Sequence, residues 1–348
     1  MNYQSVLGRS QLELSVVVPC YNESGNLREL HRRLTEACKA VTENYEIVLV
    51  NDGSKEDTWH VMSLLHNSDI HVVAINLSRN YGHQIALSAG LSHCSGDRVL
   101  IVDADLQDPP ELLPQMMKIM DAGADVVYGV RTERVGESWF KRSTASLFYR
   151  LLAQVVDFQI PVDTGDFRLI SRRALDVLLS MPEQHRFIRG MVSWIGFQQV
   201  PISYRRQPRV VGETKYPLSK MLRFAADAIT GFSTRPLKIA TYFGFVSGFL
   251  AMVTMIYTIG AWFMGDAVAG WTSLMAVVLG LGAAQLIVIG IVGEYLGRLY
   301  MEAKRRPLFV VQDYLGHGPS GGLSSFEHRS FHPNLPGVVA KAEVAPAF

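Results

Sequence analysis

The sequence predicts an α/β fold with a mostly parallel sheet, followed by two helices long enough to cross a membrane. Three observations carry this. Short, nearly unbroken apolar runs alternate with helical patterns from Leu14 to Arg131. Strands buried on both faces read in this way, with the intervening helices covering the two faces. The ends of those runs carry polar clusters, and the stretch from Lys238 to Glu294 is almost uncharged, unlike the rest of the chain.

Taken in order, "LSVVVP" is the first strand and leads to a helix from about Leu27 to Val41. "YEIVLV" leads to a helix from about Glu56 to Leu65, and "IHVVAINL" to one starting near His83. "RVLIV" precedes a helix near Pro110 to Met120, and "ADVVYGV" closes the series. Ligands of such sheets bind beyond the carboxyl ends of the strands. "PCYNES", "NDGS", "SRNYG" and "DADLQD" follow the first four strands, so four polar loops are expected on one rim.

Composition narrows the function. Thirty-three Lys and Arg against 32 Asp and Glu leave a net charge of +1, so no basic field invites nucleic acid. Cys20, Cys38 and Cys94 are widely spaced and form no C-x-x-C, which suits a reducing compartment and suggests neither a disulfide framework nor a zinc site. The first residues lack the basic, apolar and small-residue succession of a secretion signal. Neither a G-x-S-x-G elbow nor a G-x-x-x-x-G-K-[ST] loop occurs, and His328 and His332 have no partner cysteines.

"KYPLSKMLRFAADAIT" sets Leu218, Met221, Leu222, Ala225 and Ile229 on one helical face and Lys220, Arg223 and Asp227 on the other. An amphipathic helix on the membrane surface is expected there. Ile239 to Gly265 and Ala267 to Gly293 are uncharged and exceed the roughly 20 residues that span a bilayer. Arg223, Arg235 and Lys238 precede the first span, and Arg298, Lys304, Arg305 and Arg306 follow the second. The positive-inside rule then places both outer flanks in the cytoplasm, with a short loop around Asp266 outside. Gly244 with Gly248, and Gly293 with Gly297, have the spacing that lets helices approach closely, which would serve a homo-oligomer. Glu294 and Arg298 are one turn apart and expected to pair.

The expected division is a cytoplasmic catalytic domain over residues 1–213, the surface helix over 214–235, two transmembrane helices over 236–300 and a cytoplasmic tail over 301–348. The tail from about Gly316, rich in Gly, Ser, Pro and Ala, reads as flexible.

The acidic loop "DADLQDPPE" needs a reason. If strand geometry continues through it, Asp103 and Asp105 project to the same side, with Gln107 adding a third oxygen. Carboxylates so close repel unless a cation lies between them, and hard oxygen donors favour Mg²⁺ or Mn²⁺.

With its loops assembled, the chain resembles the family-2 glycosyltransferases of the GT-A fold, particularly the polyprenyl-phosphate glycosyltransferases that include dolichol-phosphate mannose synthase and bactoprenol glucosyltransferases. "VVVPCYNE", "VNDGS", "LSRNYGHQIALSAGL", "DADLQDPPE", "DTGDFRLISR" and "GEYLGRLYMEAKRRP" carry the resemblance, from about Leu14 to Pro307. It implies nucleotide-sugar contacts at Pro19, Tyr21, Asn22, Glu23, Asp52 and Asp103, and a metal held by Asp103, Asp105 and Gln107. Arg131 and Arg142 are implied to face phosphate, and Asp105 and Asp166 to carry catalysis, Asp166 near the acceptor. Where the family often has Asp-Asp-Gly-Ser, this chain has Asn51, Asp52, Gly53 and Ser54. The implied reaction is inverting transfer of a sugar from a nucleotide-sugar, UDP-glucose first and GDP-mannose or UDP-N-acetylglucosamine as alternatives, to a polyprenyl phosphate at the cytoplasmic face of the membrane. A processive polysaccharide synthase would show Q-x-x-R-W and more spans; a membrane scaffold or lipid carrier would not need the acidic set.

Overall fold

The computed structural model describes residues 12–131, 164–205, 235–264 and 270–316. Arg142, Asp266, the predicted surface helix up to residue 234, and the tail from residue 317 lie outside the described residues.

The five predicted strands form, as β1 (Leu14–Cys20), β2 (Tyr45–Asn51), β3 (Val72–Leu77), β4 (Arg98–Ile101) and β5 (Val126–Arg131). Three more were not legible: β6 (Thr164–Ser171), β7 (Gln199–Tyr204) and β8 (Val311–Leu315). All eight make one sheet in the order β7-β5-β6-β4-β1-β2-β3-β8. β4, β1, β2 and β3 are parallel neighbours, as are β5 and β7. β6 runs antiparallel between β4 and β5, and β8 lies antiparallel on the outer edge of β3. The result is a mostly parallel, Rossmann-like sheet of the GT-A kind.

Every residue of β1 and β2 is buried, because helices cover both sides. Side chains alternate between two apolar cores: Val16 and Val18 enter one with Leu30 and Leu34, while Val17 enters the other with Leu87 and Leu91. The helices that supply these layers are α1 (Leu27–Lys39), α2 (Thr58–Ser68), α3 (His83–His93), α4 (Leu113–Asp121), α5 (Arg172–Ser180) and α6 (Ile188–Ile195). α1 buries Leu27, Leu30, Leu34, Ala37 and Cys38, a stripe at helical spacing. The three cysteines are free and buried, and burial raises each thiol above its usual range.

Two long helices follow, α7 (Arg235–Met264) and α8 (Trp271–Ala303). Within them Leu237–Tyr257 and Gly280–Ala303 are long and apolar enough to cross a membrane. Only 6% and 0% of these windows are buried, so neither is the core helix of a globular layer. Arg298 Nε lies 3.3 Å from Glu294 Oε1, the pair expected from their spacing. α8 ends at Ala303, close to the predicted boundary at residue 300 and beyond the uncharged stretch that closes at Gly293, and the chain then returns to the sheet as β8. The segment assigned to a tail after residue 300 therefore contributes an edge strand to the α/β domain.

Candidate active site

The polar rim assembles where the parallel strands end. β4 stops at Ile101, and the chain turns rather than continuing extended. Leu106 takes a left-handed conformation, φ 60°, unfavourable for a branched residue but fixed here by a side chain buried in the core. Asp105 Oδ1 accepts the backbone N–H of Gln107 at 3.1 Å, which closes the turn. The straight alignment of Asp103, Asp105 and Gln107 expected from strand geometry is thus corrected. A turn gathers the segment, with Gln107's backbone N–H held by Asp105 Oδ1.

Asp103 sits beneath this turn. Its Oδ1 is buried and accepts no hydrogen bond among the described residues, while His83 Nε2 stands 3.5 Å away. Burial first, then the neighbouring carboxylates of Asp166, Asp108 and Asp105, push its pKa up to about 6 against the opposing pull of His83.

Asp166, inside β6, is the most fully gripped group of the rim. Its Oδ2 accepts from His83 Nε2 at 3.2 Å and from Gln84 Nε2 at 3.0 Å. Its Oδ1 accepts from Arg189 Nη2 at 3.3 Å, with Arg168 Nη2 at 3.8 Å. Burial opposes its charge, but His83, Arg189 and Arg168 hold it well below the usual carboxylate range. For His83, burial also opposes the charge, and the bond to Asp166 with the field of Asp103 outweighs it, pushing the imidazole to about 9.

α3 brings His83 and Gln84 here because of Asp52. The Asp52 carboxylate accepts the backbone N–H groups of Tyr81 at 2.7 Å and Gly82 at 2.9 Å, pinning the entry to α3. Burial pushes the Asp52 pKa up, while these two bonds counter it. Beside it opens a pocket of about 250 Å³ lined by Pro19, Cys20, Tyr21, Asp52, Asn80, Gly82, His83 and Ala86. Of the residues assigned to the nucleotide, Pro19, Tyr21 and Asp52 line this pocket; Asn22 and Glu23 do not. Asn22 Oδ1 accepts the Lys55 N–H, tying this loop to the one after β2, and Glu23 Oε2 accepts from Asn26 within its own loop. Asn51 donates to Asn76 and accepts from Ser54, a bracing role that suits its departure from Asp.

Arg131 closes β5 on the far side. Its Nε donates to Tyr204 Oη at 3.4 Å, and Tyr204 donates to Asp108 Oδ1. Burial lowers its pKa, but Tyr204, Asp108 and Asp103 raise it to a net increase. Gly165 makes room for it: a Cβ there would meet Arg131 Nη2 at 2.7 Å. Asp103, Asp105, Arg131 and Asp166 therefore share one rim. His83, Gln84, Asp108, Arg168, Arg189 and Tyr204 were not singled out. His83 and Gln84 lay in a quoted polar stretch and Asp108 in the acidic loop, whereas Arg189 and Tyr204 arrive from later elements that carry no local signal.

A pocket, an acidic cluster and a guarded arginine at the carboxyl ends of a Rossmann-like sheet define a glycosyltransferase-type domain, here followed by two apolar helices. The model described as "Glycosyl transferase family 2" matches residues 15–179, and "GtrB C-terminal hairpin" matches residues 235–299. An uncharacterized glycosyltransferase, YkcC, of Bacillus subtilis (strain 168) is 45% identical over 88% of this chain and 95% of its own length. The prophage bactoprenol glucosyl transferase homolog of Escherichia coli (strain K12) is 39% identical over 86% and 99%, and the bactoprenol glucosyl transferase of Shigella phage SfV 39% over 87% and 99%. A solved glucosyl-3-phosphoglycerate synthase from Mycobacterium tuberculosis, in complex with Mn²⁺, uridine-diphosphate and phosphoglyceric acid, is similar at 18% identity and TM-score 0.41 over 63% of this chain and 76% of that one. The chain belongs to glycosyl transferase family 2, and it is a glycosyltransferase.

Proposed function

We propose that the protein transfers a sugar, glucose by preference, from a nucleotide-sugar, UDP-glucose first among donors, to the phosphate of a polyprenyl carrier at the cytoplasmic face of a membrane. The observation that carries this reading is the buried, unsatisfied Asp103 Oδ1 among Asp105, Asp108 and Asp166, beside the Pro19–Asp52 pocket and Arg131. Relatives named bactoprenol glucosyl transferases support the choice of glucose and of a prenyl carrier.

The donor set fits a divalent cation. No three His, Cys, Asp or Glu among the described residues form a closed metal cage. Mg²⁺ needs none, being held by one or two carboxylates with phosphate and water completing its shell. Asp103 and Asp105 would hold Mg²⁺ or Mn²⁺, with Gln107 beside them, and the ion would neutralise the charge that grows on the departing diphosphate.

The chain's own groups do the rest. Pro19, Tyr21 and Asp52 bound the pocket for the nucleoside, and Asn22 and Glu23 hold the loop that carries Tyr21. Arg131 is assigned to the phosphate, and Arg142 is assigned there by the resemblance alone. Asp166 is a holding group rather than a proton acceptor: both oxygens are engaged, and its charge is deeply stabilised. The chemistry agrees, since a phosphate nucleophile is already ionised at neutral pH and needs no base. Direct displacement at the anomeric carbon inverts configuration.

The chain path supports a topology with both outer flanks on one side. The chain leaves the α/β domain at α7 and rejoins the same sheet as β8, so two crossings return it to the side it left. At about 1.5 Å per residue, helices of 30 and 33 residues exceed the roughly 30 Å hydrocarbon layer. Cationic flanks at Lys238, Lys304, Arg305 and Arg306 support the reading of that side as cytoplasmic.

The test is turnover of a nucleotide-sugar panel by membrane-embedded protein with polyprenyl phosphate and Mg²⁺ or Mn²⁺, with anomeric analysis of the lipid product. Asp105→Asn is expected to reduce kcat by about a hundredfold or more. Full turnover by that variant, or retention of configuration, counts against the reading.

A further inference from the structure

The stretch between α5 and α6 is fastened at both ends to groups far apart in sequence. The backbone N–H of Gln184 donates to Glu302 Oε1 at 2.7 Å, and its side-chain Nε2 donates to the Arg306 carbonyl at 3.0 Å. Both acceptors stand where the apolar helix α8 ends. Four residues on, the Ile188 N–H donates to Gln84 Oε1 at 2.8 Å, and Gln84 Nε2 donates to Asp166 Oδ2 at 3.0 Å. The next residue, Arg189, holds the other oxygen of Asp166. Arg186, between the two fastenings, donates to the carbonyls of Leu178 and Met181 and so seals the C-terminal end of α5. Hydrogen bonds at the two ends of this stretch, joined by the backbone from Gln184 to Ile188, thus link the exit of the hairpin to both oxygens of the buried carboxylate.

Glu302 stands out in its own helix. A carboxylate in the last turn opposes the helix dipole, where a cation is favoured. Its placement makes sense through what it meets in the strap: it accepts the Gln184 N–H, and its charge favours the Arg186 guanidinium two residues on.

We propose that Glu302 is a positioning residue for glycosyl transfer, acting through Gln184 to fix the start of α6 so that Gln84 and Arg189 hold Asp166 in place. The inference rests on the functional reading above and deepens it, since it makes the seat of the apolar hairpin part of the reacting centre's support. Coupling of this kind passes through packed, hydrogen-bonded segments and is measured by variants at its two ends.

The experiment uses the full chain in lipid, with kcat and both KM values for Glu302→Ala, Glu302→Gln, Gln84→Ala and the double variant Glu302→Ala/Gln84→Ala, alongside amide hydrogen exchange at Gln184 and Ile188. Glu302→Ala is expected to lower kcat roughly tenfold while leaving the donor KM within about twofold. Glu302→Gln keeps an oxygen that accepts the Gln184 N–H and should stay within about twofold of the parent. The double variant should be no slower than Gln84→Ala alone, and Glu302→Ala should speed exchange at both amides. An unchanged kcat in Glu302→Ala, multiplying effects in the double variant, or faster exchange at Gln184 with Ile188 still protected would each overturn the proposal. If the parent protein transfers no sugar at all, the functional reading fails instead, and the exchange data alone decide whether the strap exists.

Discussion

Four carboxylates on one rim, Asp103, Asp105, Asp108 and Asp166, cannot all stay charged in a partly dry cleft without cations beside them. Arg168, Arg189 and His83 serve Asp166, and the charges of Arg131 and His83 reach Asp103, whose Oδ1 nevertheless accepts no hydrogen bond among the described residues. The imidazole of His83, raised to about 9, is cationic at neutral pH. Because that value lies above the roughly 6.5 of an unfolded histidine, the pair contributes stability fully below 6.5 and loses it as pH rises through about 9. A divalent ion at Asp103 cancels part of the field that raises His83. NMR titration of the imidazole should therefore show a value near 9 without metal and a lower one in saturating Mg²⁺. An unmoved imidazole would place the ion elsewhere. Gly165 offers a second test. A methyl group there meets the flexible end of Arg131 rather than backbone, so Gly165→Ala should displace the guanidinium and leave the fold standing. The expected result is roughly a tenfold loss in kcat/KM with a melting temperature within about 2 °C of the parent.

Among elements, the parallel core was legible because both its faces are buried: β1 to β4, and β5 after them, read as unbroken apolar runs, and α1 to α4 as the stripes between. β6 was hidden by its content. "TGDFRLIS" buries Asp166 and Arg168 inside a strand, and such a pair reads as a loop until the partners of both are seen. The Asp103–Gln107 turn was misread for a related reason, since the left-handed Leu106 is sustained by tertiary packing and leaves no glycine to announce it. The junction of β5 with α5 shows how the antiparallel insertion is secured. Asp125, at the foot of β5, accepts from Ser171 Oγ at 2.9 Å and from Arg173 Nε and Nη2, and Ser171 also caps α5. Arg173 chiefly, against the cost of burial, holds the Asp125 carboxyl below its usual range. A depressed value means that the contribution is present above the unfolded pKa near 3.9 and is lost as pH falls through the lower folded value. Asp125→Asn should therefore cost about 1–2 kcal/mol at pH 7, and the difference from the parent should shrink toward pH 3 in parallel denaturant titrations. A gap that stays constant with pH would mean that packing, and not this ionised contact, secures the junction.

At the scale of the whole molecule, the α/β domain and the apolar hairpin are built as one unit, because the chain returns from α8 to complete the sheet. β8 pairs with β3, Ser78 donates its N–H to the Val310 carbonyl, and Asp313 Oδ2 accepts from Asn76 Nδ2 at 2.7 Å. Asn76 in turn accepts from Asn51, whose other bonds hold Ser54 in the loop after β2. The edge strand thus reaches the rim through three side chains. None of this was legible in sequence, since five residues following a charged stretch give too short a pattern to distinguish from a tail, and the partner strand lies more than 230 residues away. Two variants separate the functions of this clasp. Asp313→Ala removes one hydrogen bond and leaves the Asn76 amide short of an acceptor, a cost of about 1–3 kcal/mol, with the ladder intact. Ending the chain after Arg306 removes the ladder as well, exposing the backbone edge of β3, while the Gln184 bonds to Glu302 and Arg306 remain. An uncovered edge of buried, apolar residues invites pairing between copies. The shortened protein should accordingly aggregate on extraction and lose transfer activity, whereas Asp313→Ala should remain dispersed and active with a lowered melting temperature. Size-exclusion profiles and turnover of the two together provide the check: a truncated protein that stays dispersed and as active as Asp313→Ala would show that the sheet closes without its last strand, and that the bonds of Gln184 to the end of α8 suffice to join the hairpin to the α/β domain.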